Sequence, residues 1–450
     1  MENTSLPDVE PIQRALAGVP MSFDAPPHVY SVCCPRFDPA PGARKEQSGH
    51  DRLRLYMHVP FCAYKCTFCN FAIRVGARRE LMENYVEALG RELEWIQEGT
   101  VLKQLFVGGG TPTALPPDLL DRLFELAFRR VERVPESFHT CESSPDTITE
   151  EHRDVLLKWG IGRVSMGIQS LNGPVLDGIS RGHTSQEAIG KLQMLKDSGL
   201  VINADLIYGL PGQTEESFRE DMQALAESGA NAMTLYDLRI NETTRIGKDL
   251  AEDERLNLSR LVRWRSLVRE AARELGFVQT RWHTYKRKNS VALRHSWQPT
   301  FDDASYGYQM GIGNSARSHL GSTVYRNVRR PETYIEKVMA GESPVEATFP
   351  LTDDDRRALY VARSIGDGSV LDRAHYEQVF GVTLDSDLGS RLEKLEKGGL
   401  ITDDGKRVAL TETGKLVHDR VTLALYPDVA VDVVRKKQSR VEERLQIAAH

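Results

Sequence analysis

The sequence is poor in cysteine and in long apolar runs, and it has no excess of basic charge. Six cysteines in 450 residues are too few for a disulfide scaffold. No apolar stretch approaches a membrane span. The N-terminus is polar, acidic and proline-containing, without the charged-then-apolar pattern of a secretion signal. A formal net charge of −6 makes nucleic acid a poor partner. What remains is a cytoplasmic globular chain, with length enough for two or three domains.

The few cysteines are unevenly placed. Cys33 and Cys34 are adjacent and read as ordinary thiols of an N-terminal segment, with a vicinal disulfide or an added ligand as alternatives. Cys62, Cys66 and Cys69 form C-x3-C-x2-C directly after a short apolar run. A structural zinc site wants four closed ligands; His58 is near, but no second cysteine pair follows. A redox dithiol would need one pair only. Three thiolates without a fourth suit a four-iron cluster with one iron open to a further ligand, such as S-adenosylmethionine (SAM) driving radical chemistry.

From residue 52 onward, β-branched apolar runs alternate with amphipathic stretches. The spacing predicts strands at 53–59, 104–108, 137–142, 162–168, 202–208 and 232–238. Helices fit at 79–98, 117–132, 149–158, 184–198, 214–228 and 253–275. Pro117 suits an early helical position and Thr149 an N-cap. Such alternation argues for parallel strands with right-handed crossovers, and six units are too few for a closed eight-unit barrel. The division reads as an irregular extension (1–50), a partial barrel (51–276), a connecting segment (277–349), a small winged-helix-like domain (350–430) and a charged tail (431–450). In the small domain, helices fit 353–364, 372–380 and 385–398, a hairpin 400–410, and a helix from 412, with Thr352 and Asp355 as a capping box.

Unusual residues gather at the strands' C-terminal ends: the cysteine loop, Gly108-Gly109-Gly110-Thr111-Pro112-Thr113, Glu142, Gln169 and Asp205. Barrel enzymes build active sites at that face. Bare backbone at the glycines would let a ligand approach closely. Glu142, Gln169, Arg181 and Asp205 offer the mixed-sign partners that an amino acid and a ribose need. Farther on, Arg281, Lys286 and Arg287 suggest contact with an anionic or aromatic substrate, and His283 a proton carrier; a solvated strand explains that basic stretch equally well.

The residues resemble a known family. Cys62-x3-Cys66-x2-Cys69 with Phe68 is similar to the radical SAM motif. Tyr56-x-His58-x-Pro60-Phe61-Cys62, Gly108 to Thr113, Ser165-Met-Gly-Ile-Gln-Ser170 and Asp205-Leu-Ile-Tyr-Gly-Leu-Pro211 resemble its HemN-like branch, as do Gly311 to Ala316 and the stretch from Leu351. The resemblance implies an α/β partial (β/α)6 barrel with a HemN-type C-terminal domain. It also implies a [4Fe–4S] cluster on Cys62, Cys66 and Cys69 and two SAM molecules. Tyr56, Phe68, Gly109, Gly110, Thr111, Glu142, Gln169 and Arg181 would surround the first SAM, and Asp205, Tyr236, Gln298, Gly311 and Gly313 the second.

The branch includes an oxygen-independent coproporphyrinogen III dehydrogenase that decarboxylates propionates, a haem chaperone, and class C methylases with related cyclopropane-forming methylene transferases. The dehydrogenase carries a further cysteine two residues after the third, where this chain has Phe71. The Gly311–Ser318 stretch lacks the cysteine characteristic of the chaperone. The expectation on these grounds is transfer of a methyl or methylene group from a second SAM to an sp2 carbon of an aromatic or unsaturated natural product, with Glu142 and Asp205 among the catalytic residues. An electron donor such as flavodoxin or ferredoxin is implied, and a methyltransferase-like partner for ring closure fits that reaction.

Overall fold

The computed structural model describes residues 9–19, 38–45, 52–135, 137–240, 244–250, 257–294, 309–429, 431–432 and 435. Six strands follow one another in space as in sequence: β1 (Arg52–Val59), β2 (Val101–Gly109), β3 (His139–Ser143), β4 (Ile161–Gln169), β5 (Val201–Tyr208) and β6 (Ala232–Asp237). All neighbouring pairs are parallel. Parallel strands require crossovers, and helices supply them: α2 (Arg79–Leu93), α3 (Pro117–Arg130), α4 (Glu150–Lys158), α5 (Ser185–Asp197) and α6 (Glu215–Glu227). Thr149, Thr184 and Thr214 each cap the helix that follows, accepting from a backbone N–H three residues on.

Side-chain alternation divides the sheet's two faces. Leu53, Leu55, Met57 and Val59 of β1 are fully buried in the main apolar core with helix residues such as Leu89 and Leu123. The intervening positions carry Tyr56 and His58 on β1, Gln104 and Phe106 on β2, and Arg163 and Ser165 on β4. These side chains, with Asp205 and Thr234, make a polar interior. There Asn203 donates to Asp205 at 2.6 Å and to Thr234 at 2.8 Å, and Ser165 donates to Asp205 at 3.0 Å. The buried polar groups are thus largely paired with one another.

The sheet does not stop at six strands. Residues 277–349, expected as a connecting segment, extend it at both edges. β7 (Phe277–Gln279) and β8 (Thr284–Arg287) form a hairpin, with β8 antiparallel to β6. β9 (Gln309–Ile312) pairs parallel with β1, followed by β10 (Arg317–Leu320), β11 (Thr323–Asn327) and β12 (Val345–Pro350) as an antiparallel meander. Glu92 of α2 anchors this edge: it accepts from Lys45 Nζ (2.7 Å), Gly313 N (2.8 Å), Asn327 Nδ2 (2.9 Å) and the Tyr334 hydroxyl (2.6 Å).

Helix α7 (Leu258–Glu274) leads from the barrel toward the C-terminal unit. That unit has helices at 353–363, 373–380 and 384–397 and a three-stranded sheet of 371–372, 407–410 and 401–403. Thr352 and Asp355 form the expected capping box. Its apolar core also takes in Ile12 and Ala15 from helix α1 (Glu10–Ala15) and the C-cap residue Leu16. The segment before residue 50 is therefore not wholly irregular, and its helix packs on the last unit rather than on the barrel that follows it. Cys33, Cys34 and Gln298 lie outside the described residues. Among the described residues no helix is long and apolar enough to cross a membrane.

Candidate active site

The cysteine loop leaves β1 at Val59 and is tied back at its base. The short strands Phe61–Cys62 and Arg74–Val75 pair, and Arg74 N donates to Pro60 O at 2.7 Å. Thr67 is held by Ile179 O at 3.2 Å and by Ile246 N at 3.1 Å. All three thiols are half-buried and line one cavity of about 390 Å³. Burial pushes the Cys62 thiol up to about 11, against the Thr111 hydroxyl 3.7 Å from its sulfur. Arg181 Nη1 lies 3.5 Å from Cys66 Sγ.

The glycine tract is required by packing. A Cβ on Gly108 would lie 2.6 Å from Glu142 Oε2, one on Gly109 2.5 Å from the His58 ring, and one on Gly110 2.7 Å from Phe61 O. Gly109 also has φ of 119°, a conformation closed to most side chains. The N–H groups of Gly109, Gly110 and Thr111 are donated to Glu142 Oε2 (2.9 Å), Val59 O (2.8 Å) and Phe61 O (2.8 Å). The tract thus locks β1, β2 and β3 together. The expected approach of a ligand to bare N–H groups has this different local basis.

The cavity wall gathers Phe68, Gly109, Gly110, Thr111, Glu142, Gln169, Arg181, Asp205 and Tyr236 with the cysteines. Tyr56 lies beneath, its hydroxyl 3.0 Å from His58 Nδ1 and its ring stacked near Phe106. Gly311 and Gly313 are not among the lining residues: the space beside Gly311 is filled by the Arg317 backbone, and that beside Gly313 by His58 O and the Tyr85 hydroxyl. Glu142 and Asp205 lie within strands rather than beyond them. Burial pushes Glu142 up to about 7, against the Gly109 N–H, and Asp205 up to about 6, against Arg163. Gln169 ends β4 with φ of 69°, an unusual conformation for a residue with a side chain.

Sequence reasoning missed Asp237, Arg239 and Phe71 as wall residues. Phe71 was read only as a departure from a family pattern; it is 64% exposed and lines the cavity. Of the basic stretch, His283 lines the cavity, Arg281 pairs with Asp367 at 3.1 Å, and Arg287 donates to Ala226 O and Ala230 O.

The donor set fits a cluster and SAM. Among the described residues no group of His, Cys, Asp or Glu is disposed to hold a single metal ion, whereas three soft thiols share a roomier cavity. Beside them Gln169 Oε1 and Arg181 Nε are buried without a hydrogen-bond partner among the described residues. Buried polar atoms left unpaired call for a partner. A partial barrel that presents three such thiols and unpaired polar groups at its C-terminal face belongs to the class of radical enzymes built on iron–sulfur clusters.

Comparison with known proteins refines the class. Residues 56–225 match the radical SAM superfamily model and residues 370–417 the HemN C-terminal domain. The chain is 25% identical to the heme chaperone HemW of Bacillus subtilis, over 81% of this chain and 97% of that one. It is 26% identical to an oxygen-independent coproporphyrinogen III oxidase of Helicobacter pylori, over 82% and 86% respectively. The solved structure of Escherichia coli coproporphyrinogen III oxidase (HemN), a radical SAM enzyme, shares the fold with a TM-score of 0.75 at 24% identity, over 84% of this chain and 90% of that one. The chain thus carries a radical SAM domain and a HemN C-terminal domain, the combination of the HemN-like branch, and a [4Fe–4S] cluster and SAM are the cofactors of that domain family.

These relatives overturn the expectation of methyl or methylene transfer to a natural product. That expectation rested on Phe71 and on a missing cysteine in residues 311–318. Over four-fifths of its length the chain instead matches relatives named for coproporphyrinogen oxidation and heme chaperoning.

Proposed function

We propose that the protein oxidises a propionate-bearing tetrapyrrole without oxygen, in the manner of a coproporphyrinogen III oxidase. The observation that carries this reading is a single cavity in which the three cysteines face two guanidinium groups, Arg181 and Arg239. It joins a corner suited to radical generation with groups suited to carboxylates. Cys62, Cys66 and Cys69 would hold the cluster. Thr111, Gln169 and Arg181 would hold SAM, with Glu142 beside them. Asp205 and Tyr236 would hold a second SAM. When bound, cluster and SAM supply a carbon radical able to take a hydrogen atom.

The net change converts –CH2–CH2–COO⁻ to –CH=CH2, with loss of CO2, one hydrogen atom and one electron. Flavodoxin or ferredoxin would supply the electron that starts SAM cleavage, and an external acceptor would take the one released. The protein's residues would orient the propionate beside the cluster's thiols. The proposed setting is the cytoplasm.

The test is anaerobic incubation of reconstituted protein with coproporphyrinogen III, SAM and reductant. Release of CO2 with matching 5′-deoxyadenosine supports the reading. Neither product, under conditions that turn over an authentic oxidase, rejects it. Phe71, standing where the dehydrogenase carries cysteine, favours a second reading as a haem-handling protein. That reading expects stoichiometric haem transfer and no CO2.

A further inference from the structure

The C-terminal unit reaches the cavity through a buried ionic network. Arg239, two residues beyond β6, lines the cavity with its side chain 22% exposed. Its Nε lies 2.8 Å from Asp237 Oδ2 and its Nη2 donates to Asp237 Oδ1 at 3.0 Å. That pairing uses one edge of the guanidinium. Nη1 sits 3.7 Å from Asp419 Oδ2, beyond hydrogen-bond reach. Of five N–H donors, Nη2 donates one hydrogen bond and Nε faces Asp237 as an ion pair among the described residues, leaving the end-on Nη1/Nη2 edge for a second carboxylate.

The orientation of Arg239 is set from behind. Asp419 belongs to the C-terminal helix His418–Ala424 and is completely buried. Arg265 of α7 grips it with Nη1 at 3.1 Å and Nη2 at 3.2 Å, and Arg265 Nη2 also lies 3.7 Å from Asp237. Burial opposes ionisation of both carboxyls, but the surrounding arginines outweigh it and hold both below the usual carboxylate range. A planar guanidinium held this way loses little freedom when it binds.

We infer that Arg239 receives a substrate carboxylate on its end-on edge, and that Asp419 positions it from the C-terminal unit. The inference rests on the tetrapyrrole reading and deepens it. A two-point ion pair stabilises a carboxylate relative to CO2. The propionate held by Arg239 is therefore an anchor retained in the product, while a different propionate reacts.

The experiment uses anaerobically reconstituted full-length protein and coproporphyrin III, the stable ring-oxidised analogue, titrated by fluorescence against its tetramethyl ester. Iron content and thermal midpoint verify that each variant is folded. Wild type should bind the acid more tightly than the ester. Arg239→Gln should weaken acid binding by about tenfold or more and leave ester binding unchanged, since a hydrogen-bonded ion pair contributes at least that factor. Arg239→Lys should recover part of the loss. Asp419→Asn should weaken acid binding severalfold with the ester unaffected; equal weakening of both would mark a merely structural role and overturn the positioning claim. Equal acid binding by wild type and Arg239→Gln would overturn the inference alone. Binding of neither ligand by wild type would overturn the tetrapyrrole reading and this inference with it.

Discussion

The Gly109 amide donates to Oε2 of Glu142 at 2.9 Å, fixing the end of β2 to a carboxylate of β3. Because Gly109 also has φ of 119° and its Cβ position overlaps the His58 ring, Gly109→Ala should strain the backbone and release this contact. A loss of about 1–3 kcal/mol is expected from the conformation alone. Urea unfolding of the two proteins measures it; coincident curves would contradict it.

Each of Cys62→Ala, Cys66→Ala and Cys69→Ala removes one of the three thiols that line the cavity among the described residues. Each variant should lose most reconstituted iron and the cluster's visible absorption while keeping its far-ultraviolet circular dichroism. Cys141→Ala should keep its iron, because that thiol is buried in the main core. A wild-type iron content in any of the first three would refute their assignment as ligands.

Glu92 ties four separate segments together and is 2% exposed. Glu92→Ala leaves the buried Lys45 without its counter-charge and the Tyr334 hydroxyl without its acceptor, which should cost about 3–5 kcal/mol. Glu92→Gln preserves the shape and should cost less. Chemical denaturation ranks the three proteins, and an unchanged midpoint in the alanine variant would refute the anchoring role.

Asp221 is buried and accepts from Ser170 at 2.6 Å; burial raises its carboxyl from 3.8 to about 6. Between those values the folded protein binds the proton more tightly than the unfolded chain. This group therefore stabilises progressively as pH falls through 6, and that contribution is lost as pH rises. Asp221→Asn should accordingly be more stable than wild type by about 1–3 kcal/mol near pH 8, with the gain vanishing near pH 4. Denaturant melts across that range test the sign, and a gain that grows on acidification would refute it.

The six-strand core was legible because β-branched runs and amphipathic helices have distinct periods, and because Thr149 and Pro117 mark helix starts. The sheet's extensions were not. β9 joins β1 across more than two hundred and fifty residues, a pairing without local signature. The cysteine loop, Gln169 and Arg181 stood out by residue type and position. Arg239, Asp237 and Asp419 did not, because an isolated arginine or aspartate reads as surface until its distant partners are known. Glu92 was hidden for the same reason, on a helix face that looks solvated in sequence. The expected carbon transfer failed for another reason: Phe71 and the missing cysteine in residues 311–318 are local departures, whereas the similarity to the relatives extends over four-fifths of the chain.

Helix α1 and its C-cap contribute Ile12, Ala15 and Leu16 to a core otherwise built largely from residues beyond 350, and Lys394 donates to Ala17 O at 2.7 Å. During synthesis this helix is made more than three hundred residues before the helices it packs on, and its apolar face must wait for them. Synthesis of the unit beyond residue 350 then gathers in the earlier helix, so a nascent chain that stops short of it carries an uncovered apolar face.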